Sequence, residues 1–379
     1  LTIISDLEIS YKRKKVIAAT FGRGLWEADL CLPVSETAEI IDKNSLWEED
    51  KNVLHDVIIA PDASLTIRAN IEMGHDRIIK VLPGGSLIME GGKLSANCLS
   101  LWKGIRLYGH PDFADTTLSQ GTLTMLYGAV IENARIAVEC IAVKDTLNPC
   151  PGGGGIIYAH RAYFRNNIQT VLMHPTRGIN PSVFKFCRFT NNAPSDGQLP
   201  DAQVELNGVQ GIHFTSCQFE NLIPTSTQKL NTRGSGIKSF NSWFVVEKAA
   251  GNDSLPFATS SDPIFKQFTY GIEARFSHPG YGLVLDGVRF DRNYTGILAS
   301  GAGFVNISNS RFKMAQTGIP EPIKPLSAGI YLDQCKLYNL SFNSFTGNSG
   351  GFTTIIPSAA MVINACGTAN NLIAGNINY

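Results

Sequence analysis

Apolar and polar residues alternate in short runs along most of this chain. Val183-Phe-Lys-Phe-Cys-Arg-Phe189 and Ile212-His-Phe-Thr-Ser-Cys-Gln-Phe219 are two such runs, bounded by Gly, Asn or Pro. Alternation over four to eight residues between turn residues predicts half-buried β-strands. The runs also repeat. Val305-Asn-Ile-Ser-Asn-Ser-Arg-Phe312 returns as Tyr338-Asn-Leu-Ser-Phe-Asn-Ser-Phe345, and each copy follows a Gly-Ile pair, Gly296-Ile297 and Gly329-Ile330. Looser copies end at Phe290, Phe219, Phe189, Phe164 and Ile131, with polar residues, often Asn, just behind.

Self-similarity at intervals of about 20–50 residues marks a stacked-repeat fold. Helical repeats keep tighter periods and long apolar faces, whereas these units vary in length at their turns. The pattern therefore predicts an all-β solenoid, a parallel β-helix with one repeat per coil and a rise of roughly 4.8 Å. Stacking would bring Phe164, Phe189 and Phe219 into an internal aromatic column. The Asn residues behind them suit bends and can form amide ladders. Cys187, Cys217 and Cys335 each precede an apolar position by two residues (Phe189, Phe219, Leu337), which predicts buried ladder members.

The ends of the chain differ from its middle. Residues 5–11 and 16–27 read as two strands around a basic turn. The run Ala19-Thr-Phe-Gly-Arg-Gly-Leu-Trp-Glu27 resembles the closing strand of secreted sialidase-like or sortilin-like β-propellers. That resemblance implies that residues 1–31 end a propeller domain lying upstream; the alternative is a terminal cap of the solenoid. Residues 32–54, polar and acidic, are expected to form a linker. The β-helix is then expected over 55–379. Its first coils carry Gly-Gly turns, Leu101-Trp-Lys-Gly-Ile105 and Gly152-Gly-Gly-Gly-Ile-Ile-Tyr158. This block resembles the secreted right-handed parallel β-helix proteins of Bacteroidota-type bacteria, which implies the hand of the solenoid and names no substrate. The Asn-rich segment 371–379 has no amphipathic cap, so the stack is expected to continue beyond Tyr379. Insertions at 191–203, 222–234 and 249–265 should protrude as loops, where binding groups concentrate.

Composition narrows the function. The 32 acidic and 32 basic residues balance, which argues against a nucleic-acid-binding surface. No window approaches the roughly 18 apolar residues of a membrane-spanning helix. Eight cysteines show no C-x-x-C spacing, so no metal site and no cofactor are expected. Cys140 and Cys150 are the best pair for a disulfide, with free buried thiols as the alternative. The tripeptides Asp115-Thr-Thr, Asp145-Thr-Leu and Asp253-Ser-Leu resemble the O-glycosylation sequon of Bacteroidota exported proteins, which implies an extracellular or cell-surface location.

Catalytic signatures are sparse. The paired-Asp, Asn-Thr-Asp and Gly-His-Gly motifs of polygalacturonase-type enzymes are absent. Their nearest basic echo, Arg233-Gly-Ser-Gly-Ile-Lys238, reads as an ordinary Gly-Ile turn. A polysaccharide lyase needs a base beside a charge neutraliser. His160 and Arg161, with Tyr158 and Arg165, are the best local candidates. A regular strand would turn Tyr158, His160 and Ala162 inward with Phe164, and Arg161, Tyr163 and Arg165 outward. An inward His reads first as a core residue. His55-Asp56 and His75-Asp76 are adjacent in sequence and so should face opposite ways. Trp243 is either a glycan-stacking residue on an outer face or a core residue beside Phe240 and Phe244. These observations favour an exported surface module, a stalk or adhesin-like segment binding an extended polysaccharide or surface glycan. It would belong to a larger polypeptide handled by a bacterial export and anchoring machinery of the type IX kind. The alternative is a polysaccharide lyase or glycoside hydrolase acting in a groove along the β-helix. At least three charged side chains converging on one coil face would favour the enzyme.

Overall fold

Each coil lays down three short strands, and each strand pairs in parallel with its equivalent one coil on. The result is three 12-stranded parallel sheets wrapped around one core, a parallel β-helix. The computed structural model describes residues 3–10, 13, 15–29, 34–97, 101–113, 120–143, 152–193, 200–224, 230–250, 262–278, 280–314, 327–347, 359–367 and 370–378. Alternation sets the inside of every strand. In Asp56–Ile59, Ser64–Ile67 and Asn70–Met73 the second and fourth residues are buried and their neighbours are not. Among the described residues, no helix is long and apolar enough to cross a membrane.

The aromatic column runs through seven coils. Successive ring centroids from Phe164 through Phe189, Phe219, Phe265, Phe290 and Phe312 to Phe345 lie 4.9, 4.5, 4.6, 5.3, 4.7 and 4.9 Å apart, nearly parallel. This geometry also explains the recurring Gly-Ile pairs. A Cβ on Gly236, Gly271, Gly296 or Gly329 would lie 2.5, 2.8, 2.8 or 2.7 Å from a ring carbon of Phe265, Phe290, Phe312 or Phe345. Glycine thus opens the slot that each ring fills, and the Ile beside it (Ile237, Ile272, Ile297, Ile330) is fully buried.

Corners are left-handed single residues whose amides bond onward. Between the second and third strands of a coil, Tyr127, Arg161, Phe186, Ser216, Asn309 and Phe342 all have φ of 50–56°. Here the N–H of Arg161 donates to the Lys185 carbonyl and that of Phe186 to the Thr215 carbonyl, both at 2.9 Å. At the next corner the buried amides brace the backbone of neighbouring coils. Asn167 Oδ1 accepts from the Ala134 N–H at 2.9 Å, Asn191 Nδ2 donates to the Asn167 carbonyl at 3.0 Å, and Asn293 Nδ2 donates to the Phe265 carbonyl at 2.8 Å. A direct amide-to-amide rung, Asn339 Nδ2 to Asn306 Oδ1 at 3.1 Å, lies on the second sheet.

Three expectations change. Residues 32–54 do not form a linker throughout, because Ala38–Ile41, Ser45–Trp47 and Lys51–Val53 make the first coil, paired onto the strands from Asp56 onward. Its polar composition reflects the small buried set of a terminal coil, Ile41, Trp47 and Val53. Cys187 and Cys217 stack at one corner, their thiols donating to the carbonyls of Ala159 and Phe184 at 3.4 and 3.3 Å. Cys335 sits at a different corner, beside Cys366, and Leu337 is exposed at a left-handed turn instead of anchoring the core. Cys140 is a free, fully buried thiol in the first sheet, and Cys150 lies outside the described residues. Ahead of the solenoid, Ile4–Ser10, Lys15–Thr20 and Gly24–Asp29 form a three-stranded antiparallel sheet that leaves Leu7, Phe21, Leu25 and Trp26 exposed.

Candidate ligand-binding face

The stretch 156–165 departs from a regular strand at one residue. Arg161 has φ of 54°, so it ends the strand Ile156–His160 and the alternation restarts at Ala162. Ile157 and Ala159 point into the core, while Tyr158, 42% exposed, and His160 face outward. The inward reading of Tyr158 and His160 is therefore corrected, and with it the reading of His160 as a core residue. After the turn, Ala162 and Phe164 are buried and Arg165 is exposed.

The corner gathers residues from neighbouring coils around them. Tyr127, 77% exposed, holds the same left-handed corner one coil earlier, and Phe186 holds it one coil later. The His160 ring meets Phe186 edge-on at 5.9 Å, and the Arg161 guanidinium and Lys185 ammonium lie 5.9 and 5.4 Å from the same ring. Arg165 lies 4.9 Å from the Tyr163 ring, and Arg188 is in register with Tyr163. Among the described residues Arg161, Arg165 and Arg188 make no ion pair with a carboxylate, although cations nearby on the third sheet do. Lys93 bonds Glu132 at 2.7 Å and Lys266 bonds Glu220 at 3.2 Å. The corner is a ridge of rings and guanidinium groups, with Tyr127, Tyr158 and Arg165 exposed and Arg161, Phe186 and Arg188 half-buried.

Sequence reasoning found Tyr158, His160, Arg161 and Arg165 but missed Tyr127, Lys185, Phe186 and Arg188. One signal was available: Phe184, Phe186 and Phe189 cannot all share one strand parity, which marks a bend at Phe186.

Charged residues also converge on the outer face of the first sheet. Glu139 receives the Nε–H of Arg106 at 2.6 Å and lies 3.2 Å from His174 Nε2. Burial opposes ionisation of Glu139, but hydrogen bonds from His174 and Arg106 outweigh it and hold the carboxyl below its usual range. Both carboxylate oxygens are engaged, which is the arrangement of a structural ion triad and equally of an oriented His.

Arg233 and Lys238 do not meet. The Arg233 side chain is buried, 1% exposed, and its guanidinium donates to the carbonyls of Asn221 at 3.2 Å, Gln267 at 3.3 Å and Ile223. It clasps a corner and has no access to a ligand. Lys238 points outward and pairs with Asp201 at 2.6 Å. A shallow cavity of about 290 Å³ opens beside them, lined by Asp201, Thr232, Ser235, Tyr270 and Glu273 among others. Trp243 is neither open platform nor core residue. Phe244 and Val246 take the inward positions, and the half-buried Trp243 has its Nε1–H enclosed without an acceptor among the described residues. His75 and Asp76 share a turn with Nε2 and Oδ2 3.7 Å apart, because Asp76 has φ of 57°; they do not face opposite ways. His55 bonds Glu39 instead of its neighbour, at 2.9 Å. Among the described residues no group of three or more His, Cys, Asp or Glu could hold a metal ion. The loop tips 194–199, 225–229 and 251–261, and the tripeptides at Asp115, Asp145 and Asp253, lie outside the described residues.

Set against known protein families, curated proteins and solved structures, the chain finds no match in any of the three.

Proposed function

We propose that this chain is a β-helical module of an exported cell-surface protein, stalk-like or adhesin-like, and that it binds an extended polysaccharide along the corner ridge. The observation that carries the reading is the row of an exposed Tyr127 and half-buried Arg161 and Phe186 on three successive coils, with Tyr158 and Arg165 exposed beside it. The C–H face of a sugar ring packs on aromatic rings, while its hydroxyls accept hydrogen bonds from guanidinium groups. Because the groups sit on a hydrogen-bonded scaffold, little ordering is needed on binding. Export is supported by the resemblances to secreted Bacteroidota β-helix proteins and to their O-glycosylation tripeptides. The antiparallel sheet at residues 4–29, with apolar side chains open to solvent, suits the closing strands of a propeller. The test is affinity electrophoresis of the chain in gels containing soluble polysaccharides. We expect retardation by at least one of them, reduced at least fivefold in Tyr158→Ala/Arg161→Ala. Parent and variant migrating alike in every gel would sink the reading.

A second reading is favoured by the convergence of Arg106, Glu139 and His174. A His oriented by a carboxylate beside an Arg has the parts of a lyase base and charge neutraliser. It predicts unsaturated, ultraviolet-absorbing sugar ends released from uronate polysaccharides and lost in His174→Ala.

A further inference from the structure

We infer that the ridge takes an acidic polysaccharide, one bearing carboxylate or sulfate groups, and that Arg161, Arg165 and Arg188 select it over neutral glycans. This rests on the ridge being the binding face.

Charge distribution is the first ground. The chain as a whole is neutral, with 32 acidic and 32 basic residues. Many cations on the solenoid faces are matched locally, as Arg106 is by Glu139, Lys238 by Asp201 and Lys248 by Asp262. Arg161, Arg165 and Arg188 have no such carboxylate partner among the described residues. The column containing Arg188 runs Val130, Tyr163, Arg188, Gln218, with no acid in register. The column containing Arg165 does include Glu132 and Glu220, but Lys93 and Lys266 hold those carboxylates. Covering three guanidinium groups with a neutral chain would strip their water without returning a counter-charge. A carboxylate or sulfate returns it, with the paired N–H geometry that suits Arg.

Backbone conformation is an independent second ground. Farther along, the same corner column uses Gly287 and Asn309, residues that take positive φ readily. At the ridge it uses Tyr127, Arg161 and Phe186, bulky residues for which that conformation is unfavourable. Local cost accepted on three successive coils is a mark of function. Phe342 shares the column but stands alone in it, between Asn309 one coil before and Gly375 one coil after.

The extent of the ridge favours a glycan over a nucleic acid. Phosphate backbones are bound by long basic stripes. Here the neighbouring coils bring Glu220, Glu247 and Asp286 to the surrounding columns, and the positive zone is short.

The test is titration of the full chain, at low and at physiological salt, with five probes. They are polygalacturonate, dextran sulfate, dextran, galactomannan and double-stranded DNA. We expect binding to polygalacturonate, dextran sulfate or both, which separates carboxylate from sulfate recognition. Dextran and galactomannan should bind at least tenfold more weakly. Arg161→Gln/Arg188→Gln should lower acidic-glycan affinity at least tenfold with an unchanged melting temperature. Arg289→Gln/Arg311→Gln, which removes the same charge farther along that face, should lower it less than twofold. Equal loss in both double variants would reduce the effect to overall charge and overturn the inference. Equal affinity for neutral and acidic glycans would overturn the selectivity and leave the glycan-binding reading standing. DNA bound as tightly as the acidic glycans would overturn the inference, and no binding to any probe would overturn both.

Discussion

Replacing Phe219 with Ala tests whether the aromatic column holds the coils together. Phe219 is fully buried, stacked between Phe189 at 4.5 Å and Phe265 at 4.6 Å, with Phe214 edge-on at 5.7 Å. Burying a Phe and leaving a cavity on its removal is worth about 3–5 kcal/mol. Each aromatic pair adds about 0.5–1.5 kcal/mol beyond area. With ring partners on both faces and no route for collapse between flanking coils, Phe219→Ala should lie near the upper end, about 4–5 kcal/mol. Phe345 stacks on Phe312 alone among these rings, at 4.9 Å, so Phe345→Ala should cost less, about 3 kcal/mol. Phe342, 66% exposed, sets the baseline: Phe342→Ala should stay within about 0.5 kcal/mol. The assay is equilibrium urea unfolding followed by circular dichroism and tryptophan fluorescence together. In a stacked array a weakened interior interface can also split one transition into two, and the paired probes would reveal that. If Phe219→Ala and Phe342→Ala shifted the midpoint equally, the column would not be what couples the coils.

Other predictions follow from single contacts. Gly296→Ala should destabilise by about 1–3 kcal/mol, since its Cβ would lie 2.5 Å from the Gly329 carbonyl and 2.8 Å from the Phe312 ring. Gly280→Ala, with open space around it, should change the urea midpoint little. Arg233→Met should cost about 3 kcal/mol or more by leaving buried carbonyls without donors, and glycan retardation per folded molecule should not change. The folded-state pKa of Glu139 is depressed, so its contribution is present above the unfolded value of about 4.3 and is lost as pH falls through the folded value. Melting temperature between pH 5 and pH 3 should therefore fall less steeply in Glu139→Gln than in the parent. A steeper fall in the variant would contradict the hydrogen-bond geometry around that carboxylate.

The repeat was legible because it is written in residues that face inward. Phe189 to Phe219, and Phe312 to Phe345, align by eye, and stacking turns that alignment into a column. Even Gly296 and Gly329 stood out before their purpose, to admit a ring, was visible. The ridge was legible only in part. A corner residue belongs to no alternation, so Arg161 inverted the expected facing of Tyr158 and His160 while leaving Phe164 correctly placed. Tyr127, Arg161 and Phe186 fall in one column only because stacked coils bring distant segments together, and no local pattern encodes that. Arg233 misled for a related reason. A basic residue in a Gly-rich turn resembles a site, and only the carbonyls around its guanidinium reveal a clasp.

The direction of the hydrogen bonds has a mechanical consequence. In all three sheets they run from coil to coil, along the axis of the stack, and no backbone strand spans it lengthwise. Tension applied between the two ends loads the coil interfaces in series, so the weakest yields first while the others stay intact. Phe189 and Phe219 are one coil apart and 219 − 189 = 30 residues apart in sequence. One coil set free therefore exchanges a rise of about 4.8 Å for about 100 Å of extended chain. The solenoid resists bending and compression as a rod, yet under a pull it lengthens in steps, absorbing work at each coil before the next is strained.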